Sequence, residues 1–142
     1  MVEYLNQPEE TAHTLRNGWL HTGDIATVDE DGFIYIVDRL KDMIISGGEN
    51  IYPAELEKVI AGMPGVAQVA VVGQPDLKWG ETPMAVIVAQ SGGNLDEKSV
   101  IEYCDGKMAR YKIPKKVMFI ESLPLTPTGK VQKRMLRQRL GI

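Results

Sequence analysis

A chain of 142 residues with 44% hydrophobic and 25% charged side chains has room for one modest domain and an appendage, and its composition, ordinary for a globular protein, does not suggest disorder. Its longest apolar run, Met84 to Ala89, is far too short for a bilayer-spanning helix, no secretory signal opens it, and its single cysteine excludes an internal disulfide, which fits the cytoplasm. The net charge of −3 conceals an asymmetry: residues 1–105 carry 18 acidic and 6 basic side chains, whereas residues 106–142 carry 10 basic ones against Glu121 alone.

In chain order, residues 1–16 read as a loop into a short helix with an acidic first turn, Pro8-Glu9-Glu10-Thr11. Strands are expected at 19–21, 24–28 and 33–37, the last two joined by a turn in which Asp31-Gly32 is a hairpin signal. A charged turn, Asp38 to Asp42, precedes a short apolar strand, then Gly47-Gly48, then a helix opened by Pro53 with Leu56, Val59 and Ile60 on one face and Gly62 after it. By itself the glycine pair reads as a tight turn into that helix.

Residues 66–72 are apolar on both faces, which predicts a central strand, and Gly73-Gln74-Pro75-Asp76 should break it. A partner strand is expected at 84–89. A helix follows at 95–108, with Asn94 as N-cap, Glu97 as the capping-box acid, and Val100, Ile101, Cys104 and Met108 inward. Cys104 on that apolar face reads as a small core residue. A third strand at 117–120 and a terminal helix at 131–140 complete an α+β fold, a small three-stranded sheet with flanking helices preceded by a short β-hairpin.

Three strings carry more than fold. Asp38-Arg39-Leu40-Lys41-Asp42 with Ser46-Gly47-Gly48-Glu49-Asn50-Ile51-Tyr52-Pro53 resembles the hinge motif of the acyl-CoA synthetases, adenylate-forming enzymes that include luciferases and peptide-synthetase adenylation domains. Pro124-Leu125-Thr126-Pro127-Thr128-Gly129-Lys130 is similar to that family's C-terminal lysine motif, and Gly18-Trp19-Leu20-His21-Thr22-Gly23-Asp24 to its ribose-binding motif. The resemblance implies that residues 1–40 are the tail end of a large N-terminal adenylation domain and residues 41–142 a mobile C-terminal lid. It also implies a two-step reaction in which a carboxylate and ATP give acyl-AMP and pyrophosphate, and CoA thiol then displaces AMP. The lid rotates between the steps.

Residue by residue, the resemblance makes Lys130 the catalytic ammonium of adenylation, Asp24 and Arg39 the ATP/AMP ribose contacts, and Lys41 the hinge. Gly47 and Gly48 would line the pantetheine channel, and Tyr111, Lys112 and Lys115 would meet the CoA nucleotide. Each has a plainer reading: Lys130 as one cation of a basic tail, Asp24 as a turn residue, Arg39 paired with Asp38 or Asp42, and Tyr111 to Lys115 as a strand-entry loop. The implied substrates are ATP, with magnesium carried on its phosphates, CoA, and a carboxylic acid, fatty acid being the leading expectation. No metal site is expected in the chain, and without its large domain the chain is expected to be inactive. Two alternatives stay open: delivery of the acyl group to a carrier protein, and a non-catalytic polyanion-binding module using Lys133, Arg134, Arg137 and Arg139. Little aromatic interleaving argues against specific nucleic-acid binding, and peripheral membrane contact is left open.

Overall fold

The computed structural model describes residues 1–92 and 94–142 and divides the chain into two compact units, Met1–Lys41 and Asp42–Ile142. In the first unit Pro8 opens α1 (Pro8–Thr14) with Glu9 and Glu10 in its first turn. Strands β1 (Leu15–Arg16) and β2 (Trp19–Leu20) pair antiparallel across Asn17-Gly18, both with positive φ. A longer hairpin follows, β3 (Asp24–Val28) with β4 (Ile34–Arg39), its register running from Asp24 opposite Arg39 to Val28 opposite Ile34. Its turn is organised by Asp29, whose carboxylate accepts hydrogen bonds from Asp31 N–H, Phe33 N–H and the Tyr35 hydroxyl. The hydroxyl, with the backbone donors, holds that carboxyl below its ordinary pKa and pushes the Tyr35 phenol up. Val28, Phe33, Ile34, Tyr35 and Ile36 are all more than half exposed, so this hairpin leaves most of its apolar side chains unburied.

A 3₁₀ turn, Leu40–Asp42, straddles the border of the units. The second unit contains β5 (Ile44–Ser46), β6 (Glu49–Ile51), α2 (Pro53–Ala61), β7 (Val66–Asp76), β8 (Gly80–Ala89), α3 (Glu97–Cys104), β9 (Lys116–Phe119) and α4 (Lys133–Leu140). Its sheet has the order β6-β5-β8-β7, with β9 parallel to β8. Period-two alternation divides the apolar residues between two cores. Val71, Ala85 and Ile87 face α2 and α3 with Leu56, Ile60, Val100 and Cys104, whereas Ala70, Val72, Met84 and Val86 pack with Leu136 of α4. Cys104 is fully buried, which pushes its thiol pKa up and keeps it a packing residue.

The α+β architecture agrees with the expectation, but the sheet has five strands rather than three. Gly47 and Gly48, with φ of 60° and 88°, reverse the chain in two residues, so Ile44 pairs with Ile51 before Pro53 opens the helix. The expected break at Gly73-Gln74-Pro75-Asp76 does not occur, because β7 is an edge strand. Pro75 lies opposite Glu81 in the ladder, and an edge position tolerates its missing donor. Helices on both faces, not a central place in the sheet, account for the burial of β7.

Helix α3 is shorter than expected, starting after an Asp96 cap that exchanges hydrogen bonds with Ser99. The Ser99 N–H holds the Asp96 carboxyl below its ordinary pKa. Glu97 is therefore not the capping acid; its carboxylate accepts from Val117 N–H of β9. Glu57 of α2 does the same for Val71 N–H of β7, so a helix carboxylate satisfies a part-buried backbone donor on each of these strands.

Candidate functional site

Lys130 ends a tight loop closed by an isolated bridge between Leu125 and Val131. Inside it, Thr126 N–H donates to Lys130 O at 2.8 Å, Gly129 N–H donates to Thr126 O at 2.9 Å, and Lys130 N–H donates to the Thr126 hydroxyl at 3.0 Å. Gln132 braces the base, its carboxamide donating to Leu125 O and its N–H to Pro124 O, which delays α4 to Lys133 rather than the expected 131. Gly129 sits at φ 82°, a left-handed conformation that costs a side-chain-bearing residue about 1 kcal/mol or more. Lys130 is exposed and, among the described residues, forms no ion pair. The loop thus presents a solvated ammonium on an ordered backbone.

The other basic residues of the C-terminal quarter are not equivalent. Lys133 pairs with Glu57 at 2.7 Å, and both terminal nitrogens of Arg137 lie 3.1 Å from one oxygen of Asp42. These pairs neutralise two of the four cations expected to grip a polyanion. Nothing local in the sequence signalled either pair, since Asp42 and Arg137 are 95 residues apart. Asp42 is buried, so the pair joins α4 to the first residue of the second unit. Lys41, the expected hinge, precedes it and is exposed in the 3₁₀ turn.

At the β5–β6 turn the two glycines have different reasons to be glycine. A Cβ on Gly47 would lie 2.7 Å from Trp79 Cε3, and Gly47 N–H donates to Trp79 O at 2.8 Å. A Cβ on Gly48 would meet nothing within 4 Å. The space beside Gly48 is available to a ligand, whereas Gly47 is closed by indole. Gly47→Ala is expected to destabilise the protein by about 2 kcal/mol and Gly48→Ala by about 1 kcal/mol, read from urea midpoints; equal losses would contradict the Trp79 contact. Glu81 also gains a structural role here: its carboxylate lies over Gly73 and accepts from Ile45 N–H at 3.2 Å.

Arg110–Lys112 form a 3₁₀ turn entering β9. Tyr111 is partly exposed, and Lys115 lines a concavity of about 500 Å³ with Arg110, Ile101, Ile113 and Glu102. Lys112 is not grouped with them. Its ammonium contacts both oxygens of Glu55 at 2.8 and 2.7 Å and is only 17% exposed, so its charge is already matched within the fold. The Glu55 hydrogen bond raises the Lys112 pKa above its ordinary 10.5. The stabilisation is therefore fully present below pH 10.5 and lost as pH rises through the raised value. Lys112→Met should show a lower urea midpoint than the parent at pH 8, with the gap closing in strongly alkaline buffer.

In the first unit, Asp24 and Arg39 face each other across the β3–β4 ladder, and Arg39 Nε lies 2.9 Å from Asp24 Oδ1. Arg39 also donates to Thr22 O at 3.3 Å, and its backbone N–H donates to Asp38 at 2.7 Å. The guanidinium is thus matched by Asp24, and Asp42 is held by Arg137. Both ribose candidates line a cavity of about 720 Å³ together with His13, Leu20, His21 and Lys41. Among the described residues no group of three or more His, Cys, Asp or Glu is arranged to hold a metal ion.

The profile described as AMP-binding enzyme C-terminal domain matches residues 55–130. The chain is 56% identical over 139 residues to a long-chain-fatty-acid–CoA ligase, FadD13, of Mycobacterium tuberculosis, covering 98% of this chain and 27% of that protein. It is 51% identical over 141 residues to a feruloyl-CoA synthase of Amycolatopsis, covering 99% of this chain and 29% of the relative. Among solved structures it superposes on o-succinylbenzoate CoA synthetase (MenE) of Bacillus subtilis, in complex with the acyl-adenylate intermediate OSB-AMP, with a TM-score of 0.88 and 40% identity over 95% of this chain and 28% of that one. The chain spans less than a third of each relative's length. It belongs to the AMP-binding enzyme C-terminal domain family of the adenylate-forming enzymes.

Proposed function

We propose that this chain works as the C-terminal lid of an ATP-dependent acyl-CoA ligase, joined to a large N-terminal adenylation domain whose end is residues 1–40. The observation that carries the reading is Lys130, an ammonium that forms no ion pair among the described residues and stands on a braced loop, whereas Lys133 and Arg137 beyond it are matched within the fold. In the first half-reaction the carboxylate oxygen of the acid attacks the α-phosphorus of ATP and pyrophosphate leaves. Lys130 bridges the carboxylate and phosphoryl oxygens as charge builds between them. Asp24 and Arg39 hold the ribose, and magnesium arrives with the ATP phosphates as part of the substrate.

In the second half-reaction a rotation at Lys41 brings the Gly47-Gly48 turn to the acyl-adenylate. The CoA thiol, losing its proton, displaces AMP; the open face of Gly48 supports a channel for the pantetheine arm there. Tyr111 and Lys115 take the CoA nucleotide, the tyrosine by stacking and the lysine by charge. Lys112 takes a supporting part through Glu55. The exposed apolar hairpin of residues 24–39 supports a covering domain as partner.

A fatty acid is the preferred substrate, on the 56% identity to a long-chain-fatty-acid–CoA ligase, and such a substrate brings with it peripheral membrane contact for a cytoplasmic enzyme. The test joins the chain to its upstream domain and offers dodecanoate and ferulate with ATP, and CoA or a phosphopantetheinylated carrier as acceptor. Dodecanoyl-CoA is the expected product. Acylation of the carrier alone moves the enzyme to the carrier-loading branch, and feruloyl-CoA alone replaces the fatty substrate.

A further inference from the structure

Among the described residues the Lys130 ammonium forms no ion pair, so what orders this residue is the loop beneath it, and that loop converges on one side chain. Resting on the reading of Lys130 as the adenylation ammonium, we infer that Thr126 is a positioning residue for Lys130, its hydroxyl oxygen holding the lysine backbone in the orientation the reaction uses. Thr126 contacts Lys130 twice, by its N–H to Lys130 O at 2.8 Å and by its hydroxyl oxygen from Lys130 N–H at 3.0 Å. The same hydroxyl lies 2.9 Å from the Thr128 hydroxyl, and Thr126 O accepts from Gly129 N–H. Both backbone polar groups of Lys130 are therefore clamped to a single residue.

The clamp matters because of what lies between its ends. Gly129, at φ 82°, has no side chain to limit its rotation and a Cβ there would meet nothing within 4 Å, so packing does not hold this joint. The hydroxyl and the bridge at Leu125–Val131 hold it instead. Lys130 is exposed, so when the hydroxyl is removed water can satisfy its N–H. The loss should appear as a looser lysine rather than as a less stable fold, which separates positioning from a purely structural role. A displacement of about 1 Å in a reacting group costs on the order of 100-fold in rate.

The experiment uses the chain joined to its upstream domain, with whichever acid supports turnover in the parent, and compares T126V, T126S, K130A and T126V/K130A. ATP–pyrophosphate exchange reads the adenylation step, and thioester formation from supplied acyl-adenylate reads the second. T126V is expected to lower the kcat of exchange by about 10- to 100-fold with the KM for ATP unchanged, and T126S to stay within about 3-fold of the parent. The double variant should be no slower than K130A, and the second step should be unaffected by T126V. Hydrogen exchange at the Lys130 amide should be faster in T126V and restored in T126S. Parental exchange rates in T126V beside an inactive K130A overturn this inference alone. Full activity in K130A overturns the reading of Lys130 and this inference with it. A T126V defect equal in both half-reactions reduces Thr126 to a structural residue.

Discussion

Replacing Lys130 with alanine in the joined protein is expected to lower ATP–pyrophosphate exchange by about 100- to 1,000-fold, the scale for removing one preorganised charge donor from a developing oxyanion. Thioester formation from supplied acyl-adenylate should stay near the parental rate, because the proposed rotation at Lys41 carries Lys130 away for that step. The fold should be indifferent: the side chain is exposed and makes no ion pair among the described residues. An equal loss in both half-reactions, or a lowered urea midpoint, would count against the assignment. Lys130→Arg should recover little, since a planar fork cannot occupy the place of a compact ammonium between carboxylate and phosphate.

Arg137→Ala is expected to destabilise the second unit by about 2 kcal/mol, a shift of about 1 M in urea midpoint. Its partner Asp42 is buried with a side chain only 12% exposed, so truncating the arginine leaves a carboxylate largely shut off from water and without its counter-charge. The figure lies below the range for fully buried pairs because the Arg137 side chain is 28% exposed. Asp42→Ala/Arg137→Ala should lose less than the two single changes summed, as neither charge is then orphaned. Strict additivity would mean that the two side chains do not interact. The contrast with Lys130 is the informative part: two cations on either side of the start of α4, one free to meet a substrate and one needed by the fold.

How far each feature could be read depended on the sequence distance of its cause. The α2 start at Pro53, the Asp29–Phe33 turn and the buried face of α3 depend on residues within a turn or two of each other, and they were legible. At Glu97 the structure departs from the sequence expectation because a capping box and a long-range bond to Val117 demand the same residue type, and Ser99 takes the cap. Residues 66–72 lie at the edge of the sheet and not at its centre, because an apolar run reports burial, not the number of strand neighbours; helices on both faces of an edge strand produce the same pattern.

By itself the sequence determined the family, through three motif strings in order, and the candidate residues those strings contain. It also determined the α+β character, through hydrophobic periods of two and of about 3.6. Only the tertiary structure decided which cations are available. As charges alone, Lys112, Lys133 and Arg137 are no different from Lys130, yet each meets a carboxylate brought from a distant element, Glu55, Glu57 or Asp42. Charge is a property of a residue, but whether that charge is already matched depends on what folding brings within about 3 Å of it.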